Sequence, residues 1–262
     1  MPDARPIGVF DSGVGGLSVV RELRRLLPRE SVVYYADTRN CPYGHRPEPE
    51  IQEIAAQASR FLLDRGAKLI VVACNTASSV ALARLRATFE VPFVGMVPAV
   101  KPATLATRAR RVLVLATAAT VQAEVFNELV DQFASGIQVH TQACPGLVDL
   151  VESGNDDPEL ATPLLHRYLE PVPAHGIDTV VLGCTHFVFL RDDIQKLVGA
   201  GVKVIDTGEA VARQVRRVLR DRGLEAGPGS EGVLTLLASG DQERFMAVAA
   251  RLLDKRLRTI PR

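Results

Sequence analysis

Leu69-Ile70-Val71-Val72-Ala73-Cys74-Asn75-Thr76 and Thr179-Val180-Val181-Leu182-Gly183-Cys184-Thr185-His186 decide how this chain is read. Each is a buried-strand run that ends in a cysteine and passes through hydroxyl or amide side chains into a helical pattern. Around them, apolar runs alternate with helix-period segments, which reads as βαβ units on a mainly parallel sheet. The first half offers Ile7–Phe10, Val32–Ala36, Leu69–Ala73 and Val91–Gly95 as strands. The second offers Val112–Leu115, Ile137–His140, Thr179–Gly183 and Val202–Asp206. Their near-constant spacing predicts a duplicated four-strand unit. One amphipathic helix stands out between strands, with Ile51, Ile54, Ala55, Ala58, Phe61 and Leu62 on one face.

From about Thr207 the pattern changes. A helix over Ala210–Arg222 is followed by a break at Gly227-Pro228-Gly229, a strand over Val233–Ala238 and a last helix. Ser239-Gly240-Asp241-Gln242 reads as a capping box for that helix. This tail lacks a second-half partner, so it is expected to return and complete the first unit. The fold class is therefore α/β, with two pseudo-symmetric lobes, each a mainly parallel sheet flanked by helices, and a site in the cleft between them. The expected lobes are residues 1–97 with 208–262, and residues 98–207, joined by crossings near Val97 and Thr207.

The bulk properties narrow the partners. At 262 residues the chain can bury a substantial core, and 47% hydrophobic with 23% charged residues is a globular composition. A net charge of +1 gives no electrostatic case for nucleic acid or an anionic membrane surface. Met1-Pro2-Asp3-Ala4-Arg5-Pro6 carries no signal-peptide pattern, and no apolar run approaches the roughly 20 residues of a spanning helix, so a cytoplasmic location is the default. Cys41, Cys74, Cys144 and Cys184 show no C-x-x-C spacing. That argues against a disulfide scaffold and against a zinc site, leaving apolar filler or chemistry.

In open parallel sheets, ligands sit beyond the carboxyl ends of the strands. Asp11, Ser12, Thr117, Thr120 and the two cysteine segments all fall there. Two thiols at matching positions of a duplicated unit suit the inversion of a carbon centre by proton exchange. One base removes the α-hydrogen of an amino acid, and the other reprotonates the opposite face. Proton transfer across ~3–3.5 Å on each side would put the sulfurs roughly 6–7 Å apart. A thiol pKa of ~8.5 keeps thiol and thiolate both accessible, and a helix start beside each cysteine favours the thiolate. Asp11 is the tuning group for one side and His186 for the other. Free N–H groups with Ser, Thr and Asn side chains would hold carboxylates.

Simpler readings exist for each piece. Asp11 and Ser12 before Gly13-Val14-Gly15-Gly16 could form a phosphate-binding turn, but the full G-x-G-x-x-G and the P-loop lysine are missing. His186 could be a hydrogen-bonded core histidine, and Asn75 and Thr76 could be helix caps. Cys184 with His186 could be a thiol hydrolase pair, although residues two apart rarely aim at each other. A Cys-x5-Arg phosphatase loop is excluded because Val80 stands where the arginine belongs.

Asp11-Ser12-Gly13-Val14-Gly15-Gly16-Leu17-Ser18, Pro42-Tyr43-Gly44, Ala73-Cys74-Asn75-Thr76-Ala77 and Gly183-Cys184-Thr185-His186 resemble the signature blocks of the bacterial glutamate racemases, within the aspartate/glutamate racemase family. Cys144-Pro145, Leu150-Val151-Glu152 and Asp206-Thr207-Gly208 extend the resemblance over nearly the whole chain. It implies a homodimeric isomerase that interconverts L- and D-glutamate, without cofactor or metal, for peptidoglycan synthesis. It implies that Cys74 acts on the α-proton of the D-enantiomer with Asp11 beside it, and Cys184 on that of the L-enantiomer with His186. Glu152 matches a further acidic residue of the site. Ser12, Pro42, Tyr43, Gly44, Asn75, Thr76, Thr117, Thr120 and Thr185 match substrate-holding positions. The chain departs from the family at Cys41, at Ala116, where glycine is usual, and at Val188, where proline is usual. An aspartate or hydantoin racemase is the alternative, and a non-catalytic binding module is a third reading.

Overall fold

Each run expected to be extended carries a strand in the computed structural model, which describes residues 2–154 and 158–257. Met1 and residues 155–157 and 258–262, included in the lobe ranges above, lie outside the described residues. The strands are β1 (Ile7–Asp11), β2 (Val32–Ala36), β3 (Leu69–Val72), β4 (Phe93–Val94), β5 (Arg111–Ala116), β6 (Gln138–Ala143), β7 (Thr179–Leu182), β8 (Lys203–Ile205) and β9 (Leu234–Ala238). They form two sheets, ordered β4-β3-β1-β2-β9 and β6-β5-β7-β8, and every pairing is parallel. Read from its other edge, the second sheet runs β8-β7-β5-β6, the order of β4-β3-β1-β2 in the first. The duplication seen in the apolar spacing is thus a duplication of topology.

β9 is the exception to the symmetry. It pairs with β2 from Val32↔Leu234 to Ala36↔Ala238, so the tail does return to the first sheet. The runs read as fully buried are so: β3 and β7 have no exposed position, because helices cover both faces of each sheet. Helix Glu48–Leu63 lays Ile51, Ile54, Ala55, Ala58 and Leu62 on the first sheet beside helix Asn75–Thr88. Each isoleucine or leucine among them contributes about 1.5–3 kcal/mol by leaving water. Phe61, expected on that face, is only half-buried and packs on Tyr35 at 4.3 Å between centroids, beneath the Arg65 guanidinium. No helix among the described residues is long and apolar enough to cross a membrane.

The start of the last helix, Gln242–Leu257, differs from the expected capping box. Ser239 is not its cap: the hydroxyl donates to Asp37 Oδ1 (2.7 Å) and accepts from Arg39 N–H (3.0 Å). Asp241 caps instead, its Oδ1 accepting from Arg244 N–H at 3.0 Å. Gln242 reaches back to Ala238 N–H at 2.7 Å. A serine beside a buried aspartate gains a charge-assisted hydrogen bond, which outweighs what a capping contact offers.

A buried ion pair pins the N-terminal segment and the loop before β9 to this frame. Lys68 Nζ lies 2.6 Å from Glu30 Oε2 and donates to Asp3 O at 2.7 Å, while Glu30 Oε1 accepts from Ala226 N–H at 2.7 Å. The Lys68–Glu30 approach is a charge contact rather than an aligned hydrogen bond. Breaking such a pair leaves an uncompensated charge inside. Lys68→Met should therefore cost about 3–5 kcal/mol in denaturant unfolding, and adding Glu30→Leu should recover much of it. A single-variant loss below about 1 kcal/mol would assign the pair no structural role.

Candidate active site

In each sheet the strand order turns around at one place. The chain leaves β1 towards β2 but leaves β3 towards β4, and the same reversal separates β5 from β7. Loops diverging at such a point open a crevice at the carboxyl ends of the strands. Asp11 ends β1, Cys74 follows β3, Thr117 follows β5 and Cys184 follows β7. The two crevices face each other across one small cavity of about 10 Å³. Ser12, Pro42, Tyr43, Gly44, Cys74, Asn75 and Thr76 line it from the first half, and Thr117, Val148, Cys184, Thr185 and His186 from the second. Both cysteines are 6% exposed, and both are free thiols.

On the first side, Cys74 is the N-cap of the helix Asn75–Thr88, with extended backbone (φ −134°). Asp11 is fully buried. Its Oδ2 accepts from Gly16 N–H at 2.5 Å and from the Thr185 hydroxyl at 3.4 Å, while Oδ1 has no hydrogen-bond partner among the described residues. Burial pushes the Asp11 carboxyl up to about 6, with the positive His186 opposing the rise and the Glu152 charge adding to it. Burial also lifts the Cys74 thiol well above its ordinary range, and the charge of Asp11 lifts it further. Cys74 therefore holds its proton at neutrality.

The second side is built differently. The sequence reading expected a helix to begin directly behind Cys184, but a 3-10 turn, His186–Leu190, comes first and the α-helix starts only at Arg191. Val188, the departure from proline, is buried within that turn. Cys184 consequently lacks the aligned helix start that Cys74 has, and a histidine stands in for it. His186 Nδ1 lies 3.8 Å from Cys184 Sγ, and Nε2 meets Glu152 Oε1 at 2.6 Å. The same Oε1 accepts from Val14 N–H at 2.6 Å, across the cleft. Burial works against a charge on His186, but its contacts with Cys184, Cys41 and Glu152 prevail and hold its pKa well above the ordinary value. Burial likewise works to raise Glu152, yet the bonds from His186 and Val14 leave its pKa lowered. The pair is an imidazolium on a carboxylate, the counter-ion that a thiolate at Cys184 needs.

The polar residues expected to hold a ligand gather between these two sides. Thr76, Thr117 and Thr120 join their hydroxyls at 2.9–3.3 Å, with Thr117 also capping the helix Ala118–Gln122. Asn75 is buried with neither amide atom partnered among the described residues, so its hydrogen-bonding capacity is open to a ligand. Three predicted residues do not line the cavity: Asp11 reaches it through Thr185, Glu152 through His186, and Thr120 through the other threonines. The tyrosine of Pro42-Tyr43-Gly44 donates to Asp37 Oδ2 at 2.7 Å. Ala116 is fully buried in β5 beside Gly183. Val148 lines the cavity and was missed, since an apolar residue on a helix carries no signal of its own. Cys144 is buried in the core, its thiol directed to Gln142 O at 3.3 Å.

Glycine is obligatory where the loop after β1 meets the acid–base pair. A Cβ at Gly13 would fall 1.7 Å from Glu152 Oε1, and one at Gly15 would fall 2.4 Å from His186 Nδ1. Gly13→Ala should drive Glu152 off His186 in a chain that still folds. The His186 ring should then titrate nearer its ordinary value, followed by NMR of its ring protons, and an unmoved titration would show that Glu152 does not hold the charge.

Comparison with known proteins gives the same picture. The family model for Asp/Glu/Hydantoin racemase matches residues 7–215. A glutamate racemase from Herpetosiphon aurantiacus is 49% identical over 244 residues, covering 93% of this chain and 96% of that one. A crystal structure of glutamate racemase isoform RacE1 from Bacillus anthracis superposes with a TM-score of 0.87 at 33% identity, over 95% of this chain and 94% of that one. Escherichia coli glutamate racemase, solved in complex with L-glutamate and the activator UDP-MurNAc-ala, gives 0.83 at 36% identity over 95% of each chain. Identity this high over nearly the whole chain, with a family model matching most of it, leaves one conclusion: the chain belongs to the Asp/Glu/Hydantoin racemase family.

Proposed function

We propose that this chain racemises glutamate by a cofactor-independent, two-thiol mechanism. The carrying observation is the cavity itself, which two buried cysteines share, each with its own acid–base partner. The relatives named glutamate racemase, one of them solved with L-glutamate, support glutamate as the substrate. From L-glutamate, a thiolate at Cys184 takes the α-hydrogen while the His186 imidazolium balances its charge. The Cys74 thiol then delivers its proton to the opposite face, leaving Cys184 protonated and Cys74 as thiolate. Solvent exchange through Asp11 and His186 resets both. The reverse reaction begins with Asp11 relieving Cys74 of its proton, which requires an ionised carboxylate. Glu152 keeps His186 charged and oriented.

Asn75, the threonine hydroxyls of Thr76, Thr117, Thr120 and Thr185, Ser12 and the Pro42-Tyr43-Gly44 segment are the groups assigned to the two substrate carboxylates. The free N–H groups at the start of helix Asn75–Thr88 lie among them. A cavity of about 10 Å³ accommodates a water, not an amino acid, so the lobes must part to admit substrate. We take residues 1–97 with 208–262 and residues 98–207 as those lobes, moving about the crossings near Val97 and Thr207. We also assign the protein to a cytoplasmic homodimer supplying D-glutamate for peptidoglycan.

Two measurements test this reading. Cys74→Ala and Cys184→Ala should each lower kcat/KM by roughly a thousandfold or more, since each removes one of two obligatory proton carriers. Full inversion by either variant, or inversion in D2O without deuterium at the α-carbon, would refute the two-base scheme. Asp11 carries its charge only above about 6, so kcat/KM should fall by about tenfold per pH unit below that value. The fall must be equal in both directions, because L- and D-glutamate are equally stable, and Asp11→Asn should abolish that limb of the profile.

A further inference from the structure

Cys41 has no role in the proposed reaction, yet it stands beside both His186 and Glu152. One donor atom from each of Cys41, Glu152 and His186 lies within 4.8 Å of the others. The three come from separate segments of chain, so no ligand spacing in the sequence announces them. Thiolate, imidazole and carboxylate together are the donors that a borderline-soft divalent ion prefers, Zn²⁺ above all. Zinc bonds of about 2.0–2.3 Å place tetrahedral ligand atoms about 3.3–3.8 Å apart. His186 Nε2 and Glu152 Oε1, now at 2.6 Å, need to separate by about 1 Å, while Cys41 already lies within 4.8 Å of both.

A second cavity, of about 210 Å³, has Cys41 and Glu152 in its wall and neither Cys74 nor Cys184. Asp149 and Asp241 outnumber Arg244 around it, a balance that draws in cations. An ion can therefore arrive without passing between the two catalytic thiols.

We infer that Cys41, Glu152 and His186 form an inhibitory site for Zn²⁺, with a fourth position left for water. Binding displaces the Cys41 thiol proton and the proton that His186 shares with Glu152, both of which pass to solvent. The cation is balanced by one thiolate and one carboxylate, and His186 becomes a neutral ligand. The positive charge facing Cys184 then lies behind the ring, on the metal, and the imidazole no longer exchanges its proton with Glu152. The loss of activity rests on the racemase reading. The metal site itself does not.

Cobalt(II) is the spectroscopic probe, added to the intact protein in buffer free of thiols and chelators. A near-ultraviolet thiolate-to-cobalt band should appear, should be removed by Zn²⁺, and should persist in the Cys74→Ala/Cys184→Ala double variant. It should disappear in Cys41→Ala and weaken in Glu152→Gln. Cys41→Ser serves as the isosteric second variant, and it too should lack the band. In wild type, Zn²⁺ should inhibit racemisation reversibly, with EDTA restoring the rate. Cys41→Ala should raise the inhibition constant roughly a hundredfold, since losing a ligand exceeds the 10–100-fold cost of losing a ligand's supporting partner. No band in wild type, a band that survives both Cys41 variants, or one lost with the catalytic thiols would overturn the inference. Cobalt binding as described in a chain that fails to racemise glutamate would instead sink only the racemase reading.

Discussion

The hydrogen-bonded pair of Glu152 and His186 carries more of this site than any other contact. A single carboxylate oxygen accepts from the imidazole at 2.6 Å and from the Val14 backbone, on the opposite side of the cleft, also at 2.6 Å. Hydrogen bonds to charged groups contribute about 1.5–3 kcal/mol, so these two both close the cleft and keep a histidine charged where burial alone would neutralise it. The glycines of the loop after β1 follow from the same contact, because side chains at Gly13 and Gly15 would occupy the space of the carboxylate and the ring. Tyr34 donates its hydroxyl to Gly13 O from below, locking the loop in place.

Two copies of one structural unit set their cysteines in different electrostatic surroundings. Cys74 caps a long α-helix, and burial with the neighbouring Asp11 keeps its proton on. Cys184 precedes a 3-10 turn, and its neighbour is an imidazolium. A helix start and a cationic ring are alternative ways of presenting positive potential to sulfur. One thiol thus sits beside a buried carboxylate and the other beside an ion pair.

Much of this was legible in the chain. Uninterrupted runs such as Leu69–Val72 and Thr179–Leu182 suit only strands covered on both faces, and their even spacing exposed the duplication. The convergence of Asp11, Cys74, Thr117 and Cys184 followed from the rule for carboxyl ends. Other features were not legible, because they depend on competition between partners. Ser239 fits a helix cap by pattern but lies against Asp37. The turn His186–Leu190 behind Cys184 packs against the helix Leu147–Glu152, a neighbour remote in sequence. Val148 and Cys41 have no motif, and only packing places them at the two cavities.

What the amino-acid order determined by itself is the alternation of buried strands and amphipathic helices, its repetition, and the positions of two cysteines within the repeat. Hydrophobic periodicity is local, so it survives without coordinates. What only the tertiary structure decided is the charge each group carries. Asp11 at about 6, a protonated Cys74 and a charged His186 arise from desolvation and from neighbours remote in sequence. Electrostatic energy depends on distance and surrounding dielectric, and neither exists until the chain has folded.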